Sequence, residues 1–206
     1  MIASWVRREF AGVGVTQYRP GQHLPEVQYH FLGRALLCID VSGSMTGAPL
    51  VAAIEGGLDF LAEAEQAGYH CGLVLWHHDV DVYLPTTTSM AEVQTRLRAA
   101  RASGGNELRP TLRAAIAELG PMRGDRVVCV FGDGDVGNET DTAVDAAHAR
   151  SLGIRFVVRG LGSGASACLA RTLTPDEPEA SARTVDDVGT LRKGIASMAA
   201  SLRAGR

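Results

Sequence analysis

Residues 35–44 read Ala-Leu-Leu-Cys-Ile-Asp-Val-Ser-Gly-Ser, so an uninterrupted apolar run gives way at once to a polar turn. A short run that is apolar at every position is typical of a strand buried on both faces. The turn carries one carboxylate and two hydroxyls, on Asp40, Ser42 and Ser44. These are the hard oxygen ligands that Mg²⁺ and Ca²⁺ prefer. Because such ions take about six oxygens, the pattern predicts that at least one further loop completes a metal site.

Three more apolar runs follow, at 71–76, 127–132 and 154–159, and helical patterns separate them. This alternation indicates an α/β fold with a parallel sheet covered on both faces. Residues 73–84 break it, because two apolar segments flank His77-His78-Asp79 and predict a hairpin. We therefore expect a doubly wound, Rossmann-like, mostly parallel sheet of about six strands, with one antiparallel edge strand and helices on both faces.

The length and composition predict a single domain. The chain has 206 residues, of which 46% are hydrophobic, which suffices for one continuous core. Residues 1–33 are punctuated by Gly and Pro and are interpreted as an N-terminal extension packed on the domain, which occupies 34–206.

Charge and hydropathy argue against several classes of partner. The net charge is −3, which gives no reason to expect a nucleic acid or an anionic membrane. The sequence shows no signal-peptide hydrophobic region and no apolar stretch of bilayer length, so a cytoplasmic location is expected. No two of the four cysteines form a Cys-x-x-Cys pair, and we interpret the three that lie in or at the start of apolar runs, Cys38, Cys71 and Cys129, as buried free thiols.

Two further loops are expected to reach the polar turn. The run at 126–134 ends in Phe-Gly-Asp-Gly and repeats the pattern of a buried strand followed by an acid, which is Asp133. If this strand lies beside the strand at 35–39, the two carboxylates face each other at the carboxyl ends of the strands, where doubly wound sheets bind ligands. Counting strand and helix directions places the loop at 103–107 on the same face.

These three loops together resemble a von Willebrand factor type A domain with its metal-ion-dependent adhesion site. That family has Asp-x-Ser-x-Ser after its first strand, a Thr in a Gly-Gly-Thr-like loop, and an Asp in an Asp-Gly turn after its fourth strand. Asp40, Ser42 and Ser44 match the first element, and Asp133 with Gly134 matches the last. The order of elements over 34–203 is similar too.

One position departs from the family pattern. Asn106, followed by Glu107, stands where the resemblance places the metal-binding Thr. An Asn oxygen is an acceptable ligand for a hard cation, and Glu107 could supply an additional charge. Metal preference and affinity are therefore open, with Mg²⁺ expected and Mn²⁺ or Ca²⁺ possible alternatives.

The resemblance implies a function without catalysis. Asp40, Ser42, Ser44, Asn106 and Asp133 would hold a divalent cation whose remaining coordination position takes an Asp or Glu of a partner protein. Similar intracellular bacterial domains work beside AAA+ ATPases or in stress-response and conflict systems, so the resemblance implies an adaptor or scaffold role of that kind.

An enzymatic alternative is a haloacid dehalogenase-like phosphohydrolase that uses Asp40 and Asp133. It would need a second Asp two residues after the nucleophile, where Ser42 stands. It would also need a basic residue, usually Lys, between the acidic loops, and Lys193 is the only lysine in the sequence.

Three other polar segments have two interpretations each. The His77-His78-Asp79 turn is an accessory metal cluster or a solvated turn. The acids Asp135, Glu139 and Asp141 tune the field of the site or simply begin a helix. The Gly162-Ser163-Gly164 segment is a phosphate cradle or a bare turn, and no Lys or Thr follows it as in a phosphate-binding loop. We favour the second interpretation in each case.

Overall fold

The computed structural model describes residues 32–175, 182–185 and 188–204. Within them, strands and helices alternate along the chain. The strands are β1 (Gly33–Asp40), β2 (Tyr69–Trp76), β3 (Val80–Leu84), β4 (Arg126–Gly132), β5 (Arg155–Leu161) and β6 (Ala182–Val185). The helices are α1 (Ala48–Gln66), α2 (Met90–Arg98), α3 (Arg109–Leu119), α4 (Glu139–Ser151), α5 (Ser163–Leu173), α6 (Val188–Ala196) and α7 (Met198–Ala204).

The sheet has the predicted doubly wound topology. Its strand order is β3-β2-β1-β4-β5-β6, and every neighbouring pair is parallel except β2 with β3. The expected six-stranded sheet with one antiparallel edge strand is thus confirmed. Because the chain moves outward from β1 in one direction and then from β4 in the other, the strand order reverses between β1 and β4. That reversal is the crevice in which open α/β sheets bind their ligands.

Two apolar layers sandwich the sheet. Alternate residues of β1 face opposite layers: Leu37 and Ile39 pack with α1, α2, α6 and α7, whereas Leu36 and Cys38 pack with α3, α4 and α5. All eight residues of β1 are buried, which explains why its sequence is apolar at nearly every position. Burial on both faces fixes the register of β1 and hence the position of the turn that follows it.

Two helices differ from their sequence patterns. The sequence around Ala91–Ala102 predicts a helix, but α2 ends at Arg98, because the chain turns to let the Ser103 N–H donate to Val41 O at 2.8 Å. The apolar spacing from Leu191 to Leu202 predicts one helix, whereas the structure has α6 and α7 with a break at Ser197, whose hydroxyl donates to Gly194 O at 2.6 Å.

Other expectations concern the cysteines, the N-terminal extension and the membrane. Cys38, Cys71 and Cys129 are free and buried, as predicted, and so is Cys168. Of the predicted extension over 1–33, residues 1–31 lie outside the described residues, and Gly33 begins β1. None of the helices described here is long and apolar enough to cross a bilayer.

Candidate metal centre

The carboxyl ends of β1 and β4 bring Asp40 and Asp133 together. The strands pair in parallel register, with Ile39 opposite Phe131. Asp40 follows Ile39 directly and Asp133 follows Phe131 after one glycine, so both emerge at the same edge of the sheet. The main-chain N–H of Asp133 donates to Asp40 Oδ2 at 3.4 Å. At Gly132 a Cβ would lie 3.3 Å from that same oxygen, so the glycine lets the chain pass close to the carboxylate.

The turn after β1 links its three polar side chains to Asp133. Asp40 Oδ1 accepts the main-chain N–H of Ser42 at 2.7 Å, which holds the carboxylate in place. The hydroxyls of Ser42 and Ser44 lie 2.9 Å apart, and Ser44 donates to Asp133 Oδ2. Residues from two loops 89 positions apart in the sequence therefore form one connected cluster of oxygens.

The third loop delivers Asn106 to the same cluster. Its Nδ2 donates to Asp133 Oδ1 at 3.1 Å and to the main-chain oxygen of Asp135 at 3.1 Å. Main-chain bonds fix the loop: Gly43 N–H donates to Gly104 O at 3.1 Å, and Glu107 N–H donates to His77 O at 2.7 Å. The structure thus places all five predicted residues in one site.

Glu107 is directed elsewhere. Its Oε1 accepts the main-chain N–H of Arg109 at 3.4 Å, in the first turn of α3. The other carboxylate oxygen lies against Gly137, where a Cβ would be only 2.6 Å away. Glu107 therefore lies over the start of α3, and the carboxylates of the oxygen cluster are those of Asp40 and Asp133.

Asp40 lies in an electrostatically strained environment. The residue is fully buried, and burial raises the pKa of its carboxyl group from 3.8 to about 6. Hydrogen bonds from Ser42 act against this shift, and the charge of Asp133 adds to it. A nearby cation would favour the ionised form of Asp40.

The hairpin between β2 and β3 supports the third loop. His77 is 9% exposed, its Nδ1 accepts the Asp79 N–H at 3.1 Å, and its ring stacks on His78 at 4.3 Å between centroids. His78 lies against Gly104, whose φ is +72°. The favoured interpretation of a solvated turn thus holds for His78 and Asp79, which are exposed, but not for His77. No three His, Cys, Asp or Glu side chains gather into a metal cluster anywhere in the described ranges.

The acidic segment after Asp133 begins a helix, as favoured. Asn138 caps α4 by accepting the N–H of Asp141 at 3.1 Å, and Glu139 forms an ion pair with Arg171 at 2.9 Å. Asp135 Oδ1 accepts the N–H of Gly137 at 2.9 Å within the loop.

The glycine segment after β5 is a tight turn. Gly162 has a φ of +88° and precedes α5, and its N–H donates to Val185 O at 2.8 Å. The turn thereby ties the end of β5 to the end of β6.

Trp76 is the neighbour of the site that the sequence did not identify. The sequence predicts that Trp76 packs at the sheet edge, next to the hairpin, yet it is fully buried and lies opposite Asp40 in the β1–β2 register. Its ring lies 3.1 Å from where a Gly132 Cβ would be, so the indole packs beside the buried carboxylate. The signal that could have identified Trp76 as a neighbour of the site is its position at the end of β2, which is level with Asp40 at the end of β1.

The arrangement suits ion binding and not nucleophilic attack. Both oxygens of Asp40 accept main-chain N–H bonds and the side chain has no exposed surface, so it is poorly placed to attack a substrate. Two carboxylates and two hydroxyls form instead a set of hard oxygen donors that could hold Mg²⁺, Mn²⁺ or Ca²⁺. Asn106 turns its Nδ2 towards this set, so its oxygen would become a ligand only after the amide rotates.

The sheet is doubly wound, and a cluster of oxygen atoms lies at its switch point. These two features define the class of protein as an α/β domain whose ligand site could hold a metal ion. Residues 35–136 match the von Willebrand factor type A domain family. The chain belongs to this family, whose fold serves protein interaction and adhesion. A comparison with curated protein sequences finds no significant match. Nothing in these comparisons supports a haloacid dehalogenase.

Solved structures share the fold at low sequence identity. The vWF domain of the type V pili tip protein Mfa5 from Porphyromonas gingivalis has a TM-score of 0.69 and 14% identity, over 85% of this chain and 96% of that one. BatB from Bacteroides thetaiotaomicron gives 0.67 and 16%, over 84% and 100%. Manganese-loaded TRAP protein from Plasmodium vivax gives 0.58 and 17%, over 82% and 74%.

Proposed function

We propose that this domain is a non-enzymatic adaptor that binds a partner protein through a divalent cation. The observation that carries the proposal is the connected oxygen cluster of Asp40, Ser42, Ser44 and Asp133, built from two loops at the switch point. Asn106 extends it from a third loop. A bound Mg²⁺, or Mn²⁺ or Ca²⁺ in its place, would supply positive charge and a coordination position for a partner's Asp or Glu.

The residues of the site have different tasks in this proposal. Ser44 is exposed, whereas Asp40 and Ser42 are buried, so the cluster has a solvent-facing side and a closed side. The exposed side is where a partner carboxylate can approach. The buried side holds fixed negative charge that main-chain N–H groups orient before any ion arrives. Such preorganisation lowers the cost of assembling the ligands.

The fold comparisons are compatible with this role. The Plasmodium vivax TRAP protein, which shares the fold, is described as manganese-loaded. We place the adaptor in an intracellular bacterial setting, beside an AAA+ ATPase or a stress or conflict system, as the family resemblance suggested.

Calorimetric titration of the purified chain with Mg²⁺, Mn²⁺ and Ca²⁺ tests the metal. The wild type should bind at least one ion, and Asp40→Ala and Asp133→Asn should abolish that binding. The matched control is Glu107→Gln, which removes a carboxylate adjacent in sequence to Asn106 but directed towards α3. No ion binding by the wild type, or equal losses in Glu107→Gln and Asp133→Asn, would overturn the proposal.

A further inference from the structure

A groove of about 440 Å³ lies beside the candidate metal centre. One wall is formed by β2 and β3 and the other by the end of α2 and the segment after it. Its lining residues are Leu75, Asp81, Val82, Arg96, Ala99, Ala100, Arg101 and Ser103. Ser103, at one end, donates its N–H to Val41 O, between Asp40 and Ser42 in the sequence. The groove therefore runs directly up to the loop that holds the oxygen cluster.

The α2 wall of this groove carries uncompensated positive charge. Arg96 and Arg101 are exposed, and neither forms an ion pair with a carboxylate in the part of the chain that the structure describes. The guanidinium of Arg101 donates to the main-chain oxygens of Ala99 and Ala100, at 3.1 and 2.8 Å, which holds it against the wall.

Five other arginines form ion pairs, although the exposed Arg98 and Arg123 form none among the described residues. Carboxylates pair with Arg109, Arg113, Arg155, Arg171 and Arg192. The groove thus keeps two cations available for a ligand, although the chain as a whole has a net charge of −3. Cations next to a site that awaits a carboxylate are electrostatically complementary to an acidic partner.

Both cations line the same groove, one in α2 and one in the segment after it. Arg96 lies in the last turn of α2, and Arg101 lies three residues beyond the end of that helix at Arg98. Same-side residues of an extended chain recur about every 6.6 Å, since each residue advances about 3.3 Å. Acids at alternate positions of an extended chain therefore all point to one side, which is the arrangement needed to face a single wall that carries both arginines.

We propose that this groove receives an extended, acidic segment of the partner, with one carboxylate at the metal centre and the next ones at Arg101 and Arg96. This inference rests on the proposed function, because the first carboxylate needs the bound cation. It adds a sequence requirement for the partner, namely acids at alternate positions. Asp81, on the β3 wall, would repel the acidic side chains of such a segment and therefore limits its charge density.

The probe is a fluorescein-labelled six-residue peptide of alternating Glu and Thr, titrated in the presence of Mg²⁺ and followed by fluorescence anisotropy. The comparison peptide has the same composition in two blocks of three. The alternating peptide should bind more tightly, and the difference should disappear when EDTA removes the metal. Absence of binding by the alternating peptide at millimolar concentration would overturn the inference.

Charge variants locate the contact. Arg96→Gln and Arg101→Gln should each weaken peptide binding by about three-fold, as expected for a solvent-accessible ion pair. Asp81→Asn should strengthen it by a similar factor, because it removes a repulsive charge. Arg98→Gln is the matched control, since Arg98 is an exposed residue of α2 without an ion pair among the described residues and does not line the groove.

Three results would contradict the groove assignment. One is an equal loss in Arg98→Gln and Arg96→Gln; another is unchanged binding in both groove variants while Mg²⁺ still promotes binding. A third is a single-stranded oligonucleotide that binds as tightly as the peptide and is affected equally by the groove variants. If peptide binding is instead indifferent to Mg²⁺ and to Asp133→Asn, the proposed metal-dependent function fails as well.

Discussion

The main-chain N–H of Asp133 points at the buried carboxylate of Asp40 and donates to its Oδ2 at 3.4 Å. The carboxylate of Asp133 meanwhile accepts hydrogen bonds from Ser44 and Asn106 on the side of the other loops. Asp133 therefore affects Asp40 in two ways. Its main-chain N–H stabilises the Asp40 carboxylate, and its own carboxylate repels it electrostatically. A divalent cation bound by both carboxylates would offset this repulsion.

Replacing Asp133 by Asn should separate ion binding from folding. The amide keeps one acceptor and gains a donor of nearly the same shape, so the cluster stays hydrogen-bonded, while the loss of charge lowers the repulsion felt by Asp40. We expect the metal-free variant to unfold at the same temperature as the wild type or a few degrees higher. Addition of Mg²⁺ should raise the melting temperature of the wild type alone. A variant that Mg²⁺ still stabilises fully would show that Asp133 is no ligand.

The stability of the metal-free protein should rise on acidification from pH 7 to pH 5. The pKa of Asp40 is about 6 in the folded chain, above its ordinary value of 3.8, so the folded state binds the proton more tightly than the unfolded state. The corresponding contribution is fully present below about pH 4 and is lost as pH rises through about 6. It amounts to at most about 3 kcal/mol, measured by urea unfolding in EDTA.

With Mg²⁺ present the trend should reverse, because protons compete with the cation for Asp40. The stabilisation by Mg²⁺ should therefore shrink between pH 7 and pH 5. Asp40→Asn provides the control, and its unfolding free energy in EDTA should lack the component that titrates near pH 6. The same pH response in Asp40→Asn and in the wild type would assign the effect to another group.

Position 106 should tune ion binding, whereas position 107 should not. Asn106→Thr should retain or strengthen binding, since a hydroxyl replaces the amide oxygen, and Asn106→Ala should weaken it by about ten-fold. Glu107→Gln should leave the dissociation constant within about two-fold, because the Glu107 side chain lies over the start of α3. Isothermal titration with each variant measures this, and a complete loss in Asn106→Thr would mean that another group occupies that corner.

Gly134→Ala should destabilise the fold by about 2–4 kcal/mol, through the left-handed backbone and overpacking. Gly134 has a φ of +103°, and a Cβ there would lie 2.5 Å from Ala165 Cα, in the first turn of α5. Gly105→Ala is the matched control in a neighbouring loop, since a Cβ at Gly105 meets nothing within 4 Å. Denaturant unfolding of both variants should show the loss in Gly134→Ala only.

The fold could be predicted because its decisive residues are buried on both sides. The apolar runs that became β1, β2, β4 and β5 have the length and composition of interior strands, and parallel pairing then dictates where their ends meet. Helix ends were harder, because tertiary bonds decide them. The bond from Ser103 to Val41 ends α2 early, and no local signal in the sequence announces it.

The site residues could also be chosen from the sequence, but not their interactions. Asp40 and Asp133 were identifiable as acids at the ends of neighbouring strands. The direction of the Glu107 side chain was not, because it depends on the closeness of Gly137 in a loop 30 residues away. Trp76 was misplaced at an edge for a similar reason, since β3 and the layer containing α3 enclose it.

The loop from Ser103 to Glu107 is attached to its surroundings through main-chain atoms. Val41, Gly43 and His77 hold it by bonds that involve no side chain of the loop itself. The residue carried at position 106 can therefore change without displacing the backbone that presents it. In evolutionary terms, one ligand position of the site can vary independently of the fold. A single codon change at position 106 could alter ion selectivity while the loop backbone is inherited unchanged.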